Sequence, residues 1–264
     1  MERVNFTTYD GVELAANLYL PEGVSSWSPG IVVCHGFGSH KARYHDFGER
    51  ATKAGYAALI PDLRGHGESG GELDANIFND VAASVLYMQN RPEVNPVSVA
   101  IRGASMGGWL AIHTASYLID VWPVVAYCPT NDAAMLILME EVGMVQRGHK
   151  SPYMTENPPR VNVNSMVQLL YRTNVHKAAS RVTPRPLLLV HCEEDERVPA
   201  HVSQRIYDEA AEPKTLWLLP GGDHRFAQHD PTTDARMLEW VSESRVASGE
   251  LTSADIPTNV PEDF

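Results

Sequence analysis

Cysteine is scarce in this chain of 264 residues, which contains only Cys34, Cys128 and Cys192. An odd number of cysteines cannot all pair within one chain, and the spacings contain no Cys-x-x-Cys motif of a metal or redox site. Each cysteine lies at or just after a predicted strand, where cysteine commonly serves as a small buried apolar residue. We therefore expect a reduced protein without a disulfide framework.

The sequence also lacks long apolar segments and clusters of positive charge. Its apolar runs have the length of a strand, whereas a membrane-spanning helix needs about 20 apolar residues, and no secretory signal opens the chain. There are 33 acidic against 21 basic side chains, a formal net charge of −12 at pH 7. Such a charge repels a phosphate backbone. We expect a cytoplasmic protein that binds neither a membrane nor nucleic acid.

Short strands alternating with helices are the main pattern that is present. Apolar and polar residues alternate over residues 4–18 around Asp10-Gly11, which predicts an antiparallel hairpin. Continuous apolar runs, typical of parallel strands buried on both faces, follow at residues 31–34, 57–60, 97–101, 124–127, 187–190 and 215–219. Helices are predicted at residues 44–54, 79–90, 106–117 and 231–246. The alternation predicts an α/β fold, a mostly parallel twisted sheet with helices on both faces.

One long segment interrupts this alternation. Residues 131–182 show no buried strand pattern, only apolar helical patches at residues 133–145 and 163–171. An insertion of this length inside a compact domain is usually a lid or binding segment. The predicted organisation is an α/β core of residues 1–130 and 183–248, a helical lid insertion at 131–182, and a weakly ordered acidic tail at 249–264.

The segment Gly103-Ala104-Ser105-Met106-Gly107 directly follows the strand at residues 97–101 and opens a helix. This is the G-x-S-x-G nucleophile elbow in its expected context of strand, tight turn and helix. The alternative interpretation is a chance turn of small residues. A sharp turn lifts the serine hydroxyl above the sheet, and neighbouring Cβ atoms would collide there. We predict that Ser105 is a nucleophile.

Four acidic residues, 193–196, follow the strand at residues 187–190. Because hydrolases with this elbow run nucleophile, acid and histidine along the chain, the acid is expected here. Asp195 is favoured by its spacing ahead of Val198-Pro199, and Glu194 remains the alternative. The other two are expected to face solvent.

The expected histidine is His224, in a Gly-rich loop after the last strand. Its place after both Ser105 and Asp195 favours it over His229, which lies where the last helix begins. In this interpretation Asp195 orients the imidazole and His224 acts as general base.

The segment His35-Gly36-Phe37-Gly38 follows the strand at residues 31–34. A tetrahedral intermediate needs two donors for its oxyanion, and we predict the backbone N–H groups of Phe37 and Met106. His35 is too close to the strand to be the base and is expected to hydrogen-bond the loop.

Residues 62–69 are rich in ionisable groups and glycine but do not form a P-loop, so they are predicted to be a polar loop anchored by its own ion pairs. His35, His40 and His45 recur every five residues, which does not align them on one helix face as metal ligands. We predict no metal and no cofactor.

Taken in order, His-Gly-Phe-Gly, Asp-Leu-Arg-Gly-His-Gly-Glu-Ser, Gly-Ala-Ser-Met-Gly-Gly, Glu-Glu-Asp-Glu-Arg-Val-Pro and Gly-Asp-His resemble the α/β-hydrolase superfamily over nearly the whole chain. Within it, the sequence is most similar to small cinnamoyl or feruloyl esterases, dienelactone hydrolases and the catalytic domains of prolyl-oligopeptidase-like enzymes. Cys192 and Asp223 depart from the pattern, at positions where glycine and a small residue are usual.

The resemblance implies a serine hydrolase that cleaves a carboxylic ester of a small molecule through an acyl-serine intermediate. A thioesterase, an acyltransferase, a small-peptide hydrolase and a catalytically silent ligand receptor remain alternatives. A homodimer is left open. The lid is expected to line an apolar substrate pocket, although the same helical spacing fits packing, through the residues Met135, Leu138, Met139, Met144 and Tyr153.

Overall fold

A computed structural model describes residues 1–23, 27–118, 121–150 and 158–247. In this part of the chain one sheet has eight strands in the order β1-β2-β4-β3-β5-β6-β7-β8. Its strands are β1 (Glu2–Thr7), β2 (Glu13–Tyr19), β3 (Ser28–Cys34), β4 (Ala57–Pro61), β5 (Val94–Ala104), β6 (Val124–Tyr127), β7 (Leu187–Cys192) and β8 (Lys214–Leu219). The predicted acidic tail at 249–264 lies outside the described residues.

The amino-terminal hairpin forms as predicted. β1 is antiparallel to β2, which in turn lies antiparallel to β4. Gly11 in the turn has a φ of +85°, a backbone conformation that favours glycine. From β3 to β8 every neighbouring pair of strands is parallel. The prediction of a mostly parallel sheet that begins with an antiparallel hairpin is therefore confirmed.

Helices cover the sheet and connect its strands. They are α1 (His45–Lys53), α2 (Phe78–Gln89), α3 (Met106–Ala115), α4 (Asp132–Gln146), α5 (Val163–Leu170), α6 (Val175–Ala179), α7 (His201–Glu209), α8 (Phe226–His229) and α9 (Pro231–Ala247), and a 3-10 turn at Lys41–Tyr44 precedes α1. The sequence pattern did not predict α6, α7 or α8. The buried residues of α7 are Val202, Ser203 and Ile206, too few for a clear apolar stripe.

Two apolar layers, one on each face, explain why the inner strands read as continuous apolar runs. Successive side chains of a strand point to opposite faces. Val32 and Leu59 therefore pack with α3, including Trp109, in one layer. Ile31 belongs to the other layer, together with Phe47 of α1. All residues of β3 through β7 except three near the start of β5 are buried, as expected for parallel strands covered on both faces.

The predicted lid, residues 131–182, lies between β6 and β7 and contains α4, α5 and α6. Backbone bonds tie it to the loop after β4: the N–H of Arg160 donates to Gly65 and the N–H of Leu73 donates to Arg160. A backbone bridge between Leu73 and Val161 continues this contact. The segment thus rests on the core next to β4, and its role as a lid stays a prediction.

The loop after β4 is anchored differently from the sequence prediction. Arg64 is buried and bonds to three carboxylates, those of Asp10, Asp74 and Asp80, each at 2.8 Å. Asp62 pairs instead with Lys41 at 2.5 Å. The charged partners of residues 62–69 therefore lie outside that segment: in the β1–β2 turn, at Asp74 before α2, in α2 and in the segment before α1.

None of the described helices combines the length and the apolar composition needed to cross a membrane.

Candidate active site

Ser105 occupies a strained turn between β5 and α3. Its φ of +55° and ψ of −118° are rare for a residue with a side chain. The flanking glycines make this turn sterically feasible. A Cβ on Gly103 would collide with the backbone of Gly107, and a Cβ on Gly107 would collide with the backbone of Cys34. Only glycine fits at either position, and the turn holds Ser105 beyond the end of its strand.

Asp195 and His224 lie close together on the loops that follow β7 and β8. His224 Nδ1 is 2.6 Å from Asp195 Oδ2. The other carboxylate oxygen accepts the backbone N–H groups of Arg197 and Val198, both at 2.9 Å. Asp195 is only 5% exposed, whereas Glu194 is exposed. The geometry therefore brings Asp195 rather than Glu194 to the histidine.

The hydrogen bonds around Asp195 determine its ionisation. Burial raises the pKa of this carboxyl, but hydrogen bonds from His191, His224 and the Val198 N–H outweigh burial and hold the pKa well below its ordinary value. An ionised Asp195 can only accept, so His224 Nδ1 carries the proton in their bond. In the neutral ring Nε2 then has a lone pair available for a proton from a nucleophile.

Ser105 lies at the same edge of the sheet as this pair, because the carboxyl ends of parallel strands point the same way. β5, β7 and β8 are members of the parallel set. Within the described residues no hydrogen bond joins the Ser105 hydroxyl to His224. Such bonds are often long in enzymes without substrate and tighten when the substrate is bound.

The loop after β3 runs directly against Ser105. A Cβ on Gly36 would stand 3.2 Å from the Ser105 Cβ. Among the described residues neither the N–H of Phe37 nor that of Met106 has a hydrogen-bond acceptor. Met106 opens α3, and the first N–H groups of a helix have no acceptor within it. Two free donors are thus present beside the serine.

His35 shapes this loop, as the sequence predicted. Its Nε2 accepts the N–H of Leu63 at 3.0 Å, so Nδ1 carries the ring proton and donates to the Gly36 carbonyl at 2.8 Å. Burial lowers the pKa of His35 to about 4, which keeps the ring neutral. The edge of His66 packs on His35 with 4.9 Å between ring centroids.

The other histidine considered from sequence takes no part in this pair. His229 packs against Tyr44 with 5.2 Å between ring centroids. Asp223, a departure from the superfamily pattern, accepts the N–H groups of Arg225 and Phe226, both at 2.9 Å. It therefore tightens the turn that carries His224.

The predicted pocket residues have different environments. Met135 and Met139 are buried in an apolar layer of the core, and Leu138 packs against that layer. Met144 is 41% exposed, and Tyr153 lies outside the described residues. Packing accounts for the two buried methionines, and contact of any of these side chains with a substrate stays a prediction.

His191 was not among the predicted site residues. It is fully buried, and its Nε2 lies 3.3 Å from Asp195 Oδ2. The only feature of the sequence that could have indicated a role for His191 is its position four residues before Asp195. In the described part of the chain, Cys128, His191 and Asp195 form the one group whose potential metal-ligand atoms all lie within 4.8 Å of one another. Bonds within the protein already use the histidine and the carboxylate, so we assign no metal here.

Comparisons with known proteins identify similar sequences and similar folds. A sequence model of the family described as "Serine aminopeptidase, S33" matches residues 29–134. The crystal structure of the α/β hydrolase GrgF from Penicillium sp. superimposes with a TM-score of 0.76 at 22% identity, covering 92% of this chain and 98% of that one. The chain therefore has the fold of an α/β hydrolase. At this identity the superposition establishes the fold of an α/β-hydrolase and not its substrate.

Two further proteins are similar to this chain. A thermostable monoacylglycerol lipase from Bacillus sp. is 30% identical over 125 residues, which are 47% of this chain and 48% of the lipase. Est1E from Butyrivibrio proteoclasticus, solved with ferulic acid bound, superimposes with a TM-score of 0.74 at 23% identity, covering 91% of this chain and 98% of Est1E.

Proposed function

We propose that this protein is a serine hydrolase that cleaves a carboxylic ester through an acyl intermediate on Ser105. The observation that carries the proposal is the strained turn of Ser105, with a φ of +55°, between two glycines that no other residue can replace. Such strain persists where a structure needs it for function. The similarity to a monoacylglycerol lipase favours an ester over an amide.

The proposed reaction has two steps. His224 Nε2 removes the Ser105 proton as Oγ bonds to the ester carbonyl carbon, and the N–H groups of Phe37 and Met106 stabilise the oxyanion. The intermediate collapses, the ester C–O bond breaks, and the leaving alcohol takes the proton from His224. Water, deprotonated by His224, then attacks the acyl-serine, and Ser105 leaves with that proton. Asp195 remains ionised throughout.

Labelling with a fluorophosphonate probe tests the nucleophile. We expect one adduct, on the peptide containing Ser105, which is lost in Ser105→Ala. Ser116→Ala is the matched control, since Ser116 lies at the end of the same helix and its hydroxyl bonds the His113 carbonyl. Mass spectrometry of the peptides reads out both variants. An adduct that persists in Ser105→Ala, or no adduct on folded wild type, would contradict the proposal and favour the silent receptor.

Substrate class is tested with one acyl group in three linkages: a p-nitrophenyl ester, a thioester and an anilide. We expect the ester to be cleaved with the highest kcat/KM. A faster thioester or anilide would identify one of the alternative activities instead. The cytoplasmic location and a homodimeric state stay proposals from the sequence.

A further inference from the structure

The buried imidazole of His191 makes three polar contacts, although the reaction proposed above gives it no role. Nδ1 lies 2.6 Å from the Ser203 hydroxyl. Nε2 lies 2.7 Å from the Val198 carbonyl and 3.3 Å from Asp195 Oδ2. Val198 also donates its own N–H to the other oxygen of Asp195. The ring therefore contacts both the Asp195 carboxylate and the backbone of the loop that carries it.

These neighbours specify where the ring proton lies. A carbonyl and an ionised carboxylate only accept hydrogen bonds, so His191 Nε2 carries a proton and shares it between Val198 and Asp195. The Ser203 hydroxyl can donate to Nδ1 of the neutral ring. Ser203 belongs to α7 and is fully buried, so it holds the ring on a rigid element.

Asp195 Oδ2 thus faces two histidines. His224 Nδ1 approaches it to 2.6 Å and His191 Nε2 to 3.3 Å. We propose that His191, held by Ser203, is a positioning residue that orients the Asp195 carboxylate and reduces the negative charge that Oδ2 offers to His224. This inference rests on the proposed function, because it takes His224 as the base that Asp195 supports.

The direction of the effect follows from the charge. When His224 accepts a proton it becomes a cation, and the full charge of Oδ2 stabilises that cation. Without the His191 donor the carboxylate interacts more strongly with protonated His224. His224 then keeps its proton to higher pH, so the acidic limb of the plot of kcat/KM against pH moves to higher pH. Losing one hydrogen bond to a charged group corresponds to about one pH unit.

Other titratable groups face this cluster and need their own control. The thiols of Cys128, which follows β6, and of Cys192, at the end of β7, lie beside it, whereas α7 contributes the neutral Ser203. The hydrogen bond with Cys192 and burial raise the pKa of the Cys128 thiol. A Cys192→Ser variant therefore reports any contribution of the thiol pair to the profile.

The test is a matched pair of amide variants. The side-chain amide of Gln places its nitrogen where the imidazole has Nε2, whereas that of Asn places it near Nδ1. We expect His191→Gln to keep the wild-type acidic limb. In His191→Asn we expect the limb to rise by about one pH unit and kcat to fall about tenfold. Ser203→Ala, which releases the ring, moves the limb in the same direction by less.

A second measurement does not depend on activity. The proton between His224 and Asp195 gives a downfield NMR resonance, which we expect to shift further downfield in His191→Asn and to stay in place in His191→Gln. Equal resonances and equal limbs in both variants and wild type would overturn the role of His191. If wild type shows no activity dependent on Ser105 while the resonances still differ, the proposed function fails and the positioning role stands.

Discussion

At the scale of single residues, four adjacent acids illustrate how the backbone selects one of them. Glu193, Glu194 and Glu196 are exposed, whereas Asp195 is buried. Only Asp195 receives backbone N–H groups, from Arg197 and Val198. A buried carboxylate needs such donors because burial without them is costly. The turn after β7 supplies the donors to one position of the run and leaves its neighbours in water.

Asp195→Asn therefore tests the acid assignment. We expect kcat to fall by roughly 10³ to 10⁴, because an amide neither orients the neutral ring nor stabilises the imidazolium. Glu194→Gln is the matched control and should retain kcat within about twofold, since an exposed side chain rarely contributes more than a few tenths of a kcal/mol. Steady-state kinetics on an ester measures both variants. A larger loss in Glu194→Gln would reverse the assignment.

At the scale of elements, the start of α4 is one of the places where residues 131–182 contact the core. Asp132 Oδ1 accepts the indole N–H of Trp109 in α3 at 3.0 Å. Its second oxygen accepts the N–H of Val175 in α6 at 2.7 Å. One carboxylate thus connects three helices. The Asn131 side chain caps α4 by accepting the N–H of Ala134.

Asp132→Ala should weaken this junction. The indole N–H and the backbone N–H of Val175 lose their acceptor, which is expected to lower the free energy of unfolding by about 1 to 3 kcal/mol. Urea unfolding followed by circular dichroism measures this change. Glu140→Ala, an exposed acid on the same helix, is the control and should change stability by less than about 0.5 kcal/mol. Equal effects of the two substitutions would contradict the anchoring role.

At the scale of the whole molecule, buried histidines limit stability in acid. Burial lowers the pKa of His66 to about 3 and that of His35 to about 4, from an ordinary value of 6.5. Between pH 6.5 and these lowered pKa values, the folded state therefore binds fewer protons than the unfolded state. The stability that these neutral histidines contribute is fully present above pH 6.5 and is lost as the pH falls through about 4 for His35 and about 3 for His66.

We expect the urea midpoint of unfolding to decrease steadily as the pH is lowered through this window. In His66→Asn the midpoint should change less with pH. Asn keeps a donor for the Arg64 carbonyl, which His66 Nδ1 contacts at 3.0 Å, but it has no titratable group. His201→Asn, on an exposed residue, is the control and should keep the wild-type slope. Each lost unit of pKa shift corresponds to about 1.4 kcal/mol. Identical slopes in all three proteins would argue against the buried histidines as the cause.

Local patterns predicted most of the fold correctly. The continuous apolar run at residues 124–127 matches β6 in both bounds, because a strand buried on both faces leaves an unbroken apolar signature. β5 begins at Val94, earlier than predicted, because Asn95 and Pro96 mask its apolar character. The helix α7 was missed because only two of its buried residues, Val202 and Ile206, are apolar.

The sequence by itself determined the alternation of strands and helices, the turn that carries Ser105, and the order of Ser105, Asp195 and His224, because each depends on residues close together in the chain. Only the tertiary structure decided that Asp195 rather than Glu194 meets His224, that Arg64 reaches Asp10, and that His191 and Ser203 stand behind the acid. These contacts depend on side-chain burial and on strand and helix packing, which local patterns do not encode.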